Sequence, residues 1–331
     1  MRAMVLEQTR PVEESPLCPA DVPVPDPVDG QILIRVQACG VCHTDLHTVE
    51  GDLALPRLPL VPGHQIVGRV HKMGPQATRF SAGERVGVTW FYSSCGSCRF
   101  CTEQRENLCD QARFTGYHAD GGYAEYMVAP EQSAFPVPEV FSDPGATPLL
   151  CGGVIGYRAM KLSEIKPGQR LGMYGFGNSA HIVIQLAVHL GCKVHVFTRS
   201  RKHQDLAREL SAVWVGSATD ALPGPMDASI IFAPAGDLVP KALKALSRGG
   251  TLALAGITMS PIPQMDYSIL YGERTVRSVA NTTRRDAEEL LKAAAEIPVR
   301  TVVDTFPLEE ANKVLQMMKT SSLRAGAALI V

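Results

Sequence analysis

The run Arg170-Leu-Gly-Met-Tyr-Gly-Phe-Gly-Asn-Ser-Ala180 decides the fold of this chain. Its first residues suit a buried strand, the two glycines suit a tight turn, and residues 180–190 carry helical apolar spacing. A second strand, Lys193-Val-His-Val-Phe197, follows directly. A helix over 204–210 comes next, then the strands Ala228-Ser-Ile-Ile-Phe232 and Thr251-Leu-Ala-Leu-Ala255. Strand alternating with helix predicts an α/β architecture with a doubly wound parallel sheet.

The turn itself carries chemistry. Gly175-Phe-Gly177-Asn178-Ser179-Ala180 matches the dinucleotide fingerprint G-x-G-x-x-G/A, in the strand–turn–helix context that gives the pattern its meaning. A helix opening there offers backbone N–H groups to a pyrophosphate. The end of the next strand chooses between nicotinamide cofactors. A carboxylate there would hold a ribose 2′-hydroxyl, but the chain has Thr198, Arg199, Ser200 and Arg201. Hydroxyls and guanidiniums suit a 2′-phosphate, so NADP(H) is favoured over NAD(H). The competing reading is a solvated basic turn.

Outside this segment the chain changes character. Residues before about 149 alternate short apolar runs, such as Gln31-Ile-Leu-Ile-Arg-Val-Gln-Ala38 and Arg85-Val-Gly-Val-Thr-Trp90, with proline and glycine turns. With 331 residues there is length for two cores. The net charge of -1 disfavours a nucleic-acid partner, and no apolar run approaches the ~20 residues of a membrane span. Nine cysteines behind a start lacking an apolar secretory core fit a reducing cytoplasm.

Four of those cysteines fall in one motif, Cys95-Gly-Ser-Cys98-Arg-Phe-Cys101 followed by Cys109. The spacing lets one loop wrap four thiolates tetrahedrally around zinc, and four protein ligands leave no open position, so this zinc is expected to be structural. Disulfide pairing is the competing reading. A second group of metal-binding residue types is dispersed: Cys39-Gly-Val-Cys42-His43-Thr44-Asp45-Leu-His47, then Gly63-His64-Gln65, then Cys151. Two thiolates and one imidazole would leave a position for a substrate.

Together these motifs resemble a zinc-dependent alcohol dehydrogenase of the medium-chain dehydrogenase/reductase superfamily, over essentially the whole chain. The superfamily's G-H-E-x2-G-x5-G-x2 signature is met at Gly63, His64, Gly68, Gly74 and Ala77, with Gln65 in place of the usual Glu. The resemblance implies a GroES-like β-rich catalytic domain (1–153 and 297–331) and a Rossmann coenzyme domain (154–296). The helical stretch 285–296 and the tail 325–331 are read as leading back to the first domain. By resemblance Cys42, His64 and Cys151 hold the catalytic zinc, and Asp45 orients His64. Thr44 and His47 relay a proton, and His43 donates to the cofactor pyrophosphate. Leu53 and Trp90 line the substrate pocket, while Phe91 and Tyr92 beside Trp90 suit pocket or core equally.

The activity implied is alcohol–aldehyde/ketone interconversion by hydride transfer with NADP(H). The alternative is an NAD(H)-dependent alcohol or polyol dehydrogenase. Two zinc ions per chain, a small-molecule substrate and a homodimer or homotetramer are the further expectations.

Overall fold

The structure, a computed structural model, describes every residue except Pro298 and Arg324. Both fall in the stretch 297–331 assigned above to the first domain, and they lie outside the described residues. The chain forms two compact units. One comprises Met1–Cys151, Asn281–Ala295 and Thr301–Val331; the other comprises Gly152–Ala280 and Glu296–Arg300.

The second unit contains a wholly parallel six-stranded sheet. Its spatial order is Trp214–Gly216, Lys193–Phe197, Arg170–Tyr174, Met226–Ile231, Leu246–Leu254, Thr275–Ser278. In chain order this is 3-2-1-4-5-6, the doubly wound Rossmann arrangement, with the reversal beside Arg170–Tyr174. Alternate residues of each strand enter different cores, because a parallel sheet is covered on both faces. Leu171, Met173, Val194 and Val196 pack with the helices Gly152–Leu162 and Asn178–His189. Tyr174, Phe197 and Ile231 pack with the helix Leu238–Ala245.

Three boundaries differ from the sequence reading. The first helix starts at Asn178, directly behind the glycine turn, rather than at 180. The next starts at Arg201, because the Ser200 hydroxyl caps it by accepting from the His203 N–H at 3.5 Å. The strand Leu246–Leu254 begins earlier than 251.

The first unit is built on a seven-stranded, mainly antiparallel sheet. Gln31–Val41 lies near its centre, paired with Gln65–Met73, with Tyr126–Pro130 and with Gly326–Ile330. The segment 281–295 belongs to this unit, the domain to which the helical stretch 285–296 was expected to lead back. Specific ties explain this: Glu106 accepts from the Arg284 N–H at 2.8 Å, and Arg79 pairs with Glu288 at 2.9 Å. The amphipathic pattern of Arg284–Glu296 fixes a buried face but not the core that receives it.

Candidate active site

Strand register brings the first two dispersed residues together. Gly40 pairs with Gln65 and Cys39 with Ile66 in an antiparallel ladder. Cys42, just beyond one strand, and His64, just before its partner, therefore emerge at the same end of the sheet. Cys42 is also the N-cap of the helix His43–Glu50: its Sγ accepts from the Thr44 N–H at 3.3 Å. Asp45 completes a capping box by accepting from the Cys42 N–H at 2.9 Å. Its other carboxylate oxygen accepts from His64 Nδ1 at 2.8 Å. One buried carboxylate thus fixes the helix start and the imidazole at once, leaving Nε2 as the ring atom available for a metal.

Cys151 follows the short helix Thr147–Leu150 and joins the pair. His64 Nε2 lies 3.2 Å from Cys42 Sγ and 3.3 Å from Cys151 Sγ. The three ligand atoms lie within 4.8 Å of one another. Tetrahedral zinc bonds of about 2.0–2.3 Å require N···S separations of about 3.5 Å, so the donor set fits that ion in spacing and in chemistry. Electrostatics agree. Burial alone would raise the Cys42 thiol, but the hydrogen bond from Cys151 and the charge on His64 outweigh it and hold Cys42 well below its ordinary range. Burial would likewise lower His64, yet Asp45 and the Cys42 thiolate hold it well above. The Cys42 bond and burial push the Cys151 thiol up. Cys39 is wholly buried, and desolvation drives its thiol up; its sulfur faces the Gly63 and Gly122 backbone.

The motif cysteines also converge. Cys95–Cys101, Cys98–Cys101 and Cys95–Cys109 sulfurs are 3.9, 3.6 and 3.6 Å apart. A tetrahedron of Zn–S bonds near 2.3 Å has edges of about 3.8 Å, whereas a disulfide needs about 2.05 Å. All nine cysteines are free thiols, so the disulfide alternative falls.

Around the triad, Trp90 stands edge-on to the His64 ring, with centroids 5.0 Å apart, and stacks on Phe114 at 5.1 Å. Tyr117 tilts against the same indole, and its hydroxyl donates to Ala54 O at 2.6 Å. Phe91 and Tyr92 are buried, which resolves them as core. The aromatic spacing gave no sign of Phe114 or Tyr117, since they arrive on a separate hairpin strand and turn. Thr44 is buried, His43 is exposed at the first helical position, and His47 is half-buried on the last turn. Leu53 sits in the turn after the helix, where its N–H reaches His47 O at 3.4 Å. Gln65 is buried, its amide nitrogen has no partner among the described residues, and its side chain presses against Gly40.

In the parallel-sheet unit, Gly175 has φ +88°, and its N–H donates to Phe197 O at 2.9 Å. A Cβ there would crowd Ala233, so the turn requires glycine. Gly177 caps the helix and has open space where a side chain would stand, leaving its backbone approachable. Ala180 is wholly buried. Thr198 leaves the strand Lys193–Phe197 with its N–H on Gly216 O at 2.8 Å, and Arg199 is exposed.

Comparison with known proteins agrees with this architecture. Residues 28–139 match the Alcohol dehydrogenase GroES-like domain, and residues 180–296 match the Zinc-binding dehydrogenase family. The chain is 42% identical to a probable alcohol dehydrogenase AdhA of Mycobacterium tuberculosis, covering 100% of this chain and 97% of the relative. It is 36% identical to an alcohol dehydrogenase of Geobacillus stearothermophilus, with both chains covered completely. Among solved structures it is similar to a cinnamyl alcohol dehydrogenase of Sorghum bicolor. That match has a TM-score of 0.91 and 27% identity, covering 99% of this chain and 97% of the other. With both domains matched and full-length relatives at this identity, the chain belongs to the zinc-dependent alcohol dehydrogenases of the medium-chain dehydrogenase/reductase superfamily.

Proposed function

We propose that the chain interconverts alcohols with aldehydes or ketones by hydride transfer, using NADP(H) as the nicotinamide partner. The observation that carries this reading is the gathering of Cys42 Sγ, His64 Nε2 and Cys151 Sγ, with His64 Nδ1 already committed to Asp45. Zinc held by these three residues supplies a Lewis acid softened by two thiolates, and the nicotinamide supplies or accepts hydride. Asp45 keeps the imidazole oriented. Trp90, backed by Phe114 and Tyr117, presents an apolar wall beside His64, which suits small to medium alcohols and aldehydes and excludes water. Leu53 extends that wall. In oxidation a proton must leave the alcohol oxygen; Thr44 and His47 are assigned its export. The turn from Gly175 to Ala180 is assigned to the cofactor pyrophosphate, and His43 is assigned to cofactor binding.

The NADP(H) assignment rests on residues 198–202, from the strand end into the first turn of the next helix, where Thr198, Arg199, Ser200, Arg201 and Lys202 place hydroxyls and cations and no carboxylate. The four-cysteine loop is assigned a second, structural zinc. Nine unpaired thiols support a reducing compartment, the cytoplasm. Assembly into a homodimer or homotetramer is supported by the edge strand Thr275–Ser278, whose residues are all exposed, and by Tyr267 and Tyr271, 72% and 68% exposed.

A spectrophotometric panel tests the whole reading: NADPH and NADH, each with aliphatic, allylic and aromatic aldehydes, on zinc-loaded protein. Turnover with NADPH preferred in kcat/KM is expected. Preference for NADH in both KM and kcat/KM would replace NADP(H) and leave an NAD(H)-dependent alcohol or polyol dehydrogenase. Silence across the panel would remove the proposed activity.

A further inference from the structure

The helix His43–Glu50 ends in a turn folded back upon one of its own residues. Gly51 adopts the left-handed conformation (φ +82°), and its N–H donates to His47 O at 3.1 Å. The Leu53 N–H reaches the same carbonyl at 3.4 Å. Asp52, held between those two anchors, is turned so that its carboxylate Oδ2 lies 2.7 Å from His47 Nδ1. The other acid at this helix end is engaged elsewhere: Glu50 accepts from Lys319 Nζ at 2.7 Å and from the Val12 N–H at 3.0 Å. Glycine conformation, backbone bonds and one short charged contact therefore converge on a single imidazole.

A neutral imidazole carries one proton on either nitrogen, and the partner of one nitrogen decides the chemistry of the other. A carboxylate accepts only, so beside Asp52 the proton sits on Nδ1 and the lone pair on Nε2. We propose that Asp52 is a positioning residue for the proton relay, fixing His47 in the tautomer whose Nε2 can receive a proton. The inference rests on His47 serving as that relay. During alcohol oxidation the hydride leaves carbon for the nicotinamide, and the hydroxyl proton travels outward to Nε2. The resulting imidazolium is held beside the Asp52 carboxylate until Nε2 gives the proton to bulk water. In carbonyl reduction each transfer runs in reverse, so the proton count closes in both directions.

A purely structural role is the competing account. A half-exposed ion pair at a helix end contributes little to stability and would leave proton transfer untouched. Four variants separate the possibilities: Asp52→Ala, Asp52→Glu, His47→Gln and the double variant Asp52→Ala/His47→Gln. They are measured as zinc-loaded protein for proton release in a pH-indicator stopped-flow assay, for kcat and KM, and for the 15N shifts of the His47 ring.

Asp52→Ala is expected to slow proton release and kcat about fivefold to tenfold, with alcohol KM within twofold, because general-base effects at partly solvated sites fall below the 10²–10⁴ of buried ones. Asp52→Glu should restore most of the rate, and the double variant should be no slower than His47→Gln alone. The ring should carry its proton on Nδ1 in the unaltered protein and as a tautomer mixture in Asp52→Ala. A ring protonated on Nε2 in the unaltered protein, or an Asp52→Ala penalty that persists undiminished without His47, overturns the positioning role. If His47→Gln itself leaves proton release unchanged, the relay assignment falls, and this inference falls with it. A slow His47→Gln beside a normal Asp52→Ala removes the inference alone.

Discussion

The two cysteine-containing clusters reach the same geometry by opposite routes. The four-cysteine loop is local: its sulfurs lie between residues 95 and 109, mostly half-exposed, and are held by neighbouring backbone, as in the Cys98 N–H to Cys95 Sγ contact of 3.3 Å and the Gln111 N–H to Cys109 Sγ contact of 3.4 Å. The triad spans residues 42 to 151, and its members meet only because a ladder register, a capping box and a separate short helix are all in place. As a zinc site the loop would need a metal and little else. The triad needs the whole domain, and in exchange its imidazole is buried and oriented, with an aromatic wall beside it.

Substituting one glycine in each cluster tests this contrast most severely. Gly63 precedes His64 with φ +95°, and a Cβ there would run into the Tyr123 ring and stand 2.8 Å from Cys39 Sγ. Both neighbours are fully buried and cannot yield. Gly63→Ala is expected to cost about 2–5 kcal/mol and to displace His64, adding a left-handed strain of about 1–2 kcal/mol to the overpacking. Gly96, with φ +75°, has nothing within 4 Å of its would-be Cβ. Gly96→Ala should therefore cost only the backbone strain, about 1–2 kcal/mol. Chemical denaturation and zinc analysis check the pair: Gly63→Ala should retain the loop zinc and lose the other. Equal losses of stability would mean that the loop, too, depends on the fold around it.

A smaller effect is expected at Asp45, the single residue through which helix cap and imidazole communicate. Asp45→Asn keeps the shape but removes the charge that holds His64 Nδ1 and weakens the bond to the Cys42 N–H. Loss of such an outer partner lowers metal affinity about 10–100-fold. Chelator competition should resolve that drop at one site and no change at the loop zinc. A uniform change at both would contradict the independence of the two clusters.

The same contrast governs how much was legible in the sequence. The loop could be read outright, because its spacing is its geometry. The parallel sheet could be read because 170–180 and 193–197 carry strand, turn and helix signals within a few residues of each other. The triad's residue types were visible, but their meeting depended on a ladder register no local pattern states. Asp52 was invisible, since one acid after a glycine is ordinary until Gly51 turns it back on His47. Phe114 and Tyr117 reach Trp90 only through pairing of Phe91–Ser93 with Arg113–Phe114. The sequence leads the helix Arg284–Glu296 back to the first domain but does not fix a boundary, because its apolar face fits either core; the ties of Arg284 to Glu106 and Glu288 to Arg79 are made within the first unit.

The gentlest test concerns thiol reactivity within the loop. Backbone N–H groups of Ser97 and Cys98 pull the Cys95 thiol down to about 6. Cys98 also receives a backbone bond, from Cys101, but partial desolvation and the neighbouring sulfurs push it up to about 11. At pH 7.5 in zinc-stripped protein Cys95 is mostly thiolate and Cys98 roughly 0.03% so, a ratio of about 3,000. Nucleophilicity falls with pKa by a Brønsted slope of about 0.4–0.5, which returns a factor of about 200 to Cys98. Ionisation wins at this pH, and iodoacetamide should label Cys95 about tenfold faster, the order reversing above about pH 9 as Cys98 ionises. Cys42 carries a depressed thiol as well and is half-buried like Cys95, but its depression depends on Cys151 and His64 brought from elsewhere in the chain, so its labelling should respond to denaturant while that of Cys95 does not. If Cys42 labelling is as indifferent to denaturant as that of Cys95, the distinction between a local and an assembled site no longer holds.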